Sequence, residues 1–261
     1  MKSEPDSFQN LVSTVERLRS PGGCPWDREQ THASLKRNLL EECYEVLEAI
    51  DGNSPDKLSD ELGDILTQVV FHSQIASEAC QFTVEDVAGG VDAKLVRRHP
   101  HVFGDATASD AREVEHNWER LKEKEGVRKS PVDGIPKELP ALAYAQLMQD
   151  RVGKVGFEWE DVSGVLDKVA EEVDELKNAP NDEERAKEYG DLLFAMVNLA
   201  RWLGFHAEDA LRQANARFGS RYRGMEALAA KRGLDFRRLP LEEKEALWQE
   251  VKGMEGLSTS S

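Results

Sequence analysis

Apolar residues recur every three or four positions through most of the chain, which is the spacing of an amphipathic α-helix. No segment alternates with a period of two strongly enough to predict a strand. Breaks at glycine, proline and capping residues divide the pattern into segments. We therefore predict an all-α protein, with helices over about 8–18, 35–50, 55–79, 84–98, 109–125, 140–151, 163–178, 182–201, 206–232 and 241–252.

The apolar positions also predict which helix faces are buried. In the helix that follows Ser54, we expect a buried row formed by Leu58, Leu62, Ile65, Leu66, Val69 and Val70. The helices over 163–178 and 182–201 should pack through a second seam that includes Leu166 and Leu193. The segment Cys24–His32 is expected to be a loop, and Cys43 a small buried residue.

The second half of the sequence repeats the first. Residues 39–50 (LLEECYEVLEAI) match 169–179 (VAEEVDELKNA), and residues 60–70 (DELGDILTQVV) match 187–197 (KEYGDLLFAMV). A segment rich in proline and glycine lies between the halves, without helical period. We predict an N-terminal domain over 1–125, a linker over 126–140, a C-terminal domain over 141–254 and a disordered tail over 255–261.

Each half carries Glu-Glu-x-x-Glu followed by Glu-x-x-Asp. In the second half these are Glu171, Glu172 and Glu175 on one helix, with Glu188 and Asp191 on the next. Residues three or four apart share a helix face, so packing of the two helices would bring several carboxylates together. Such a group is unfavourable unless a cation joins it. The first half keeps the equivalent acids Glu41, Glu42, Glu45, Glu61 and Asp64. We predict a possible second metal site at Glu42, Glu45, Glu61 and Asp64.

Hard oxygen ligands favour Mg²⁺, with Mn²⁺ as a substitute. A di-iron helical bundle is the nearest alternative, but it needs Glu-x-x-His on the inward faces. Here that spacing occurs only at Glu29-x-x-His32 and Glu113-x-x-His116, away from the acidic helices. A solvated helix face is the ordinary explanation for one acidic segment. Recurrence of the same pattern beside apolar positions argues against it.

The composition limits the partners of the chain. Its net charge of −16 disfavours binding to a nucleic-acid duplex. No apolar run is long enough for a membrane helix, and the N-terminus lacks the features of a signal peptide. Three cysteines without a CxxC pair favour reduced thiols and a cytoplasmic protein.

A metal held by carboxylates most often serves a phosphate substrate. No GxxxxGK[ST] motif is present, so other cations would have to receive the phosphates. Arg217 and Arg221 lie one helical turn apart, and arginine can pair with phosphate oxygens through two donors. Lys168 precedes Glu172 by one turn, and Lys187 precedes Glu188 directly. This local basic group offsets the unfavourable net charge.

The order EExxE, ExxD and NARFxxR resembles the MazG family of nucleoside triphosphate pyrophosphohydrolases, within the all-α NTP pyrophosphatase superfamily. The resemblance extends over almost the whole chain and includes CPWD at 24–27, RRHPHVFGD at 97–105, GFEW at 156–159 and GDLLFAMVNLAR at 190–201. It implies two tandem MazG repeats of the four-helix-bundle type and a homodimer. It also implies Mg²⁺-dependent hydrolysis of NTPs and dNTPs, ATP included, to the nucleoside monophosphate and pyrophosphate.

The resemblance also implies roles for individual residues. Catalytic acids are expected at Glu171, Glu172 and Glu175, and the metal ligands at Glu172, Glu175, Glu188 and Asp191. The nucleotide-binding residues are expected to be Lys168, Lys187, Asn198, Asn215, Arg217, Arg221 and Trp248.

The two halves differ around their acids. Phe71 stands where the second half has Asn198, and Asn38 where it has Lys168. We therefore predict that the C-terminal domain is catalytic and the N-terminal domain a scaffold with a weak site. The alternative is a non-enzymatic, metal-binding helical interaction module.

Overall fold

A computed structural model describes residues 7–110, 113–114, 117–118 and 130–258. Within these residues it contains eleven α-helices, one short 3₁₀-helix and no strand, which confirms the all-α prediction. The chain divides into two units, residues 1–125 and 126–261. We also find no helix in the described residues with the length and apolar character that crossing a membrane requires.

Unit 1 is built around a pair of consecutive helices joined by three residues. These are α3 (His32–Asp51) and α4 (Pro55–Glu78), which pack along their length. The remaining helices of the unit are α1 (Ser7–Arg19), α2 (Pro25–Glu29), α5 (Val84–Arg98) and α6 (Pro100–Phe103). A core of Val15, Leu35, Val70, Phe71 and Val84 joins α1, α3, α4 and α5.

Unit 2 repeats this plan. Its central pair is α8 (Val162–Asn178) and α9 (Asp182–Trp202), again joined by three residues. The other helices are α7 (Ala141–Gly153), α10 (Ala207–Lys231) and α11 (Leu241–Ser258), with a 3₁₀-helix at Phe236–Arg238. A core of Met225, Ala229, Leu247 and Val251 joins α10 to α11.

Local capping explains where the central helices begin. The Thr31 hydroxyl accepts from the backbone N–H of Ser34 at the start of α3. Asn181 Oδ1 accepts from the N–H of Glu184 at 2.9 Å at the start of α9. Each contact pairs an N–H that the first helical turn leaves without a partner. Side-chain caps therefore fix the starts of α3 and α9, and with them the level of the acids along these two helices.

Buried glutamines attach α7 to α9 and α10. Gln149 Nε2 donates to the carbonyl of Phe194 at 2.9 Å, and Gln146 Nε2 donates to the carbonyl of Phe205 at 3.1 Å. Gln146 Oε1 in turn accepts from the N–H of Ala207 at 2.8 Å. Part of the predicted linker also contacts α7, since a terminal nitrogen of Arg151 donates to the carbonyl of Asp133 at 2.9 Å.

The predicted burial of the central helices was partly wrong. Leu62, Leu66 and Val69 are exposed on α4, and only Val70 of that row is fully buried. Leu166 on α8 and Leu193 on α9 are also exposed. Periodicity correctly identified an apolar face on each central helix, but the partner helix covers only part of that face.

Several smaller predictions also need correction. Residues Pro25–Glu29 form a short helix inside the expected loop, and Cys43 is exposed because its side chain lies off the core-facing side of α3. The last helix continues to Ser258, so residues 255–258 belong to it rather than to a disordered tail. The expected helix over 109–125 falls largely outside the described residues.

Candidate active site

Three carboxylates meet where α8 packs against α9. One oxygen each from Glu172, Glu188 and Asp191 lies within 4.8 Å of the others. Glu172 comes from the middle of α8, while Glu188 and Asp191 share a face of α9 because they are three residues apart. The spacing seen in the sequence therefore does bring acids from both helices together.

Glu172 is the most buried member of this group, with 4% of its surface exposed. Its Oε1 atom lies 2.7 Å from Lys168 Nζ, but its Oε2 atom is buried without a hydrogen-bond partner. A buried carboxylate oxygen without a partner carries a desolvation cost. The described residues thus fit a hard divalent cation, because the donor set is all oxygen and one oxygen lacks any other partner.

Two lysines partly neutralise the acids. Lys168 pairs with Glu171 at 2.9 Å as well as with Glu172, and these contacts raise the pKa of Lys168 well above its usual value. Lys187 Nζ lies 3.1 Å from Glu188 Oε1, and this hydrogen bond raises the pKa of Lys187 too. Both predicted nucleotide-binding lysines therefore pair with carboxylates of this acidic group.

Glu175 lies one turn beyond Glu172 on α8 and is exposed. It is not one of the three residues whose oxygens approach within 4.8 Å. A step of three residues falls about 60° short of a full turn, and here that offset leaves the Glu175 carboxylate outside the closest three. The structure therefore groups three of the four predicted metal ligands.

Four of the other predicted nucleotide-binding residues lie on α10 and α11. The guanidinium carbon of Arg221 is 5.5 Å from the centre of the Trp248 ring, within the range of a cation–π contact. The Phe218 ring lies 5.4 Å from that of Trp248. Asn215 and Arg217 are exposed on α10. The helices thus bring Arg221 and Trp248 together although 27 positions separate them in sequence.

Asn198 has a polar network that the sequence did not predict. Its Oδ1 atom accepts from Arg201 Nε at 3.1 Å and from an Arg201 terminal nitrogen at 2.8 Å. The same arginine pairs with Glu158 in the loop before α8. Glu158 also accepts from Trp202 Nε1 at 3.0 Å and from the backbone N–H of Trp159 at 2.9 Å.

This network keeps Glu158 ionised. Burial alone would raise the pKa of Glu158, but the hydrogen bonds from Trp159, Arg201 and Trp202 together lower it below its usual value. Gly153 leaves space for the carboxylate, since a Cβ there would come within 2.8 Å of Glu158 Oε2. The sequence could indicate one part of this network, the contact of Asn198 with Arg201, through their i, i+3 spacing. It could not indicate the contact with Glu158, because Glu158 is 43 residues away from Arg201.

Unit 1 contains a corresponding acidic group. Oxygens of Glu42, Glu45 and Glu61 lie within 4.8 Å of one another, and Glu61 is buried. Burial raises the pKa of Glu42, and the negative charges of Asp64, Glu45, Glu61 and Glu41 raise it further. Asp64 is exposed and lies outside the closest three.

This group has weaker support from cations than its counterpart in unit 2. Lys57 Nζ pairs at 2.7 Å with Glu48, outside the group, although its charge still acts to lower the pKa of Glu61. Burial and Glu45 outweigh that effect, and the pKa of Glu61 is raised overall. Unit 1 therefore keeps the acids, but among its described residues we find no lysine that pairs with Glu61 as Lys168 pairs with Glu172.

Comparison with known proteins gives a consistent result over the full length of the chain. Residues 30–103 match the family model described as the MazG nucleotide pyrophosphohydrolase domain. The chain is 47% identical over 255 residues to a Thermotoga maritima protein named nucleoside triphosphate pyrophosphohydrolase/pyrophosphatase MazG, with 97% of this chain and 98% of the relative covered. It is also 46% identical over 259 residues to the nucleoside triphosphate pyrophosphohydrolase of Escherichia coli K12, with 96% and 98% covered.

Proposed function

Because the chain belongs to the MazG family of nucleoside triphosphate pyrophosphohydrolases, and is therefore a hydrolase of phosphoanhydride bonds, we propose that unit 2 releases pyrophosphate from NTPs and dNTPs with Mg²⁺. The other product would be the nucleoside monophosphate. The observation that carries this proposal is the unpartnered, buried Oε2 of Glu172 inside a group of carboxylates.

Glu172, Glu188 and Asp191 would hold the cation, with Glu175 as a fourth ligand and Mn²⁺ as a substitute for Mg²⁺. When bound, the cation would neutralise phosphate oxygens and favour ionisation of water. Lys168 and Lys187 contact these acids directly and lie where phosphate oxygens would arrive. Their positive charge offsets the repulsion that a protein with a net charge of −16 would exert on the phosphates of a nucleotide.

The chain's own residues would position the remaining parts of the reaction. Glu171 is exposed beside the acidic group and held by Lys168 at 2.9 Å, which suits it to accept a proton from the attacking water. Glu175 is the alternative base, because it is also exposed on α8. Arg217 and Arg221 would pair with phosphate oxygens, and Asn215 and Trp248 would contact the nucleotide.

Unit 1 would serve as a scaffold with a weak metal site at Glu42, Glu45, Glu61 and Asp64.

Two matching rows of exposed apolar residues support a homodimer. In the alignment of the repeats, Leu62, Leu66 and Val69 of α4 correspond to Tyr189, Leu193 and Met196 of α9, and all six are exposed. Contiguous exposed apolar residues mark interaction surfaces.

Three free cysteines, two of them exposed, support the cytoplasm as the location. Substrates would be single nucleotides rather than a nucleic-acid duplex, in keeping with the net charge.

Product analysis tests the proposed reaction. The protein is incubated with ATP and dATP, with Mg²⁺ or a chelator, and the first phosphorus product is measured. Pyrophosphate in equal amount to the monophosphate, lost on chelation, is expected. Orthophosphate as the first product would indicate a phosphatase. Failure of any NTP to raise the melting temperature in Mg²⁺ would favour a non-enzymatic binding module.

A further inference from the structure

The network around Asn198 fixes which side of its amide faces away from Arg201. A guanidinium group can only donate hydrogen bonds, so the atom that receives both Arg201 contacts must be the amide oxygen. The amide nitrogen, with two N–H donors, is then directed elsewhere. Among the described residues, we find no acceptor bonded to Asn198 Nδ2.

Asn198 lies on the helix face that carries the metal-site acids. It follows Asp191 by seven residues, which is close to two full turns, so the two side chains leave α9 in nearly the same direction. The separation along the axis is roughly 10 Å. A substrate whose phosphates lie at Asp191 would therefore meet Asn198 with its nucleoside part.

Glu158 organises this end of the helix pair through two connections. One oxygen holds Arg201, and the other accepts from Trp202 Nε1 and from the N–H of Trp159. The Trp159 ring packs on Gly164, where a Cβ would come within 2.7 Å of the ring. Gly164 precedes Glu172 by eight residues on α8, which places it about 12 Å away along the axis and roughly 80° around the helix.

We propose that Glu158 and Arg201 are positioning residues, which hold Asn198 so that its amide nitrogen donates a hydrogen bond to the nucleoside part of the substrate. The acceptor is an oxygen or ring nitrogen of the base or sugar. This inference rests on the proposed function of unit 2, but its test relies on binding rather than turnover.

The test measures the dissociation constant of a nucleoside triphosphate analogue with a methylene group between the α and β phosphorus atoms, in Mg²⁺. Arg201→Lys keeps the charge but loses the fork that contacts Asn198 twice. Glu158→Gln keeps the shape but loses the ion pair. Each substitution, like Asn198→Ala, is expected to weaken analogue binding by about 3- to 10-fold.

Inorganic tripolyphosphate reports on the phosphate end alone. Its dissociation constant should be unchanged in all three variants, because it has no group that reaches Asn198. Asn198→Asp provides a second test, since it retains size and strengthens the contact with Arg201 but removes both donors. It should weaken the analogue at least as much as Asn198→Ala without lowering the melting temperature.

A double substitution separates positioning from general support of the structure. If Arg201 acts through Asn198, adding Arg201→Lys to Asn198→Ala should produce no further loss of analogue binding. Glu78→Gln is the matched control, because Glu78 pairs with Arg19 in unit 1 as Glu158 pairs with Arg201 in unit 2. It should leave both dissociation constants unchanged.

Two results would overturn the proposal. One is that Arg201→Lys weakens analogue binding equally in the wild type and in Asn198→Ala. The other is a parallel loss of tripolyphosphate binding. Analogues that differ in the sugar or in the base then identify the acceptor. Asn198→Ala should have the smallest effect on the analogue that lacks the acceptor atom. Absence of pyrophosphate release by the wild type would refute the proposed function but leave these binding results interpretable.

Discussion

The two acidic groups of the molecule have the same sequence pattern but different electrostatic surroundings. In unit 2, the buried Glu172 has Lys168 at 2.7 Å, and Glu188 has Lys187 at 3.1 Å. In unit 1, burial and neighbouring acids raise the pKa of both Glu42 and Glu61. Asn38 occupies the position equivalent to Lys168. The comparison teaches that a lysine paired with the buried acid distinguishes the groups more sharply than their carboxylates do.

A second difference lies farther along the same helices. Unit 2 places Asn198 and Arg201 after its acids, whereas the matching positions in unit 1 are Phe71 and Gln74. Phe71 is part of the core of unit 1, and Gln74 donates to Glu78 on its own helix. In unit 1 this end of α4 therefore contributes to the core, whereas in unit 2 the same end of α9 carries polar side chains.

The largest expected effect comes from removing the central acid of each group. Glu172→Ala should lower the rate of pyrophosphate release by at least about 100-fold, because an electrostatic group at the reacting centre is lost. Glu42→Ala should change the rate by no more than about twofold. Steady-state rates with ATP and Mg²⁺ check both values. The reverse ranking would transfer the catalytic role to unit 1.

Exchanging the equivalent residues Lys168 and Asn38, each one turn before an acid, should have an effect of intermediate size, on stability. Lys168→Asn leaves the buried Glu172 without its cation and should destabilise the metal-free protein by about 1–2 kcal/mol, a figure reduced because the lysine is 38% exposed. The converse, Asn38→Lys, should stabilise unit 1 by a smaller amount. Calorimetry in a chelator gives the melting temperatures.

Mg²⁺ should restore part of the stability lost in Lys168→Asn, because the ion binds the folded state only. The matched control is Lys177→Asn, since Lys177 pairs with the exposed Asp174 on the same helix. An equal loss in Lys177→Asn would mean that the burial of Glu172 is irrelevant to the effect.

The smallest expected effect is a dependence on pH in unit 1. The pKa of Glu42 is higher in the folded state than the ordinary value of 4.5, so the folded state binds more protons above that pH. The contribution of Glu42 to stability should therefore fall as pH rises from 4.5 through its raised pKa, and should be regained as pH is lowered through the same window. In a chelator, Glu42→Gln should flatten this slope by on the order of 1 °C in melting temperature. A steeper slope in Glu42→Gln would contradict the assignment.

Much of the fold could be predicted because its signals are local. Thr83 and Asp86 have the residue types and spacing of a capping box, and their contacts of 2.8 Å to 3.2 Å start α5 at Val84. Lys168 and Glu172 could be paired from their i, i+4 spacing alone. Helix periodicity likewise placed Glu188 and Asp191 on one face.

The remainder depends on how distant segments meet. Periodicity could not reveal that Leu62 and Leu66 are exposed, because it identifies an apolar face without identifying what covers it. Glu158 could not be connected to Arg201, since the loop must first dock on α9. Glu175 was grouped with Glu172 because spacing gives a helix face only to within a fraction of a turn.

The three-residue connections within each central pair have a consequence for folding. Two similar repeats in one chain could exchange partners, with α3 packing on α9 instead of α4. Closing a loop costs free energy that grows with the logarithm of its length. Asp51 ends α3 three residues before α4 begins but 130 residues before α9 begins, so the incorrect pairing costs roughly 3 kcal/mol more in chain entropy. Local closure is also faster, and α3 and α4 leave the ribosome before α9 is made. The short turns therefore protect the tandem arrangement from misassembly during synthesis.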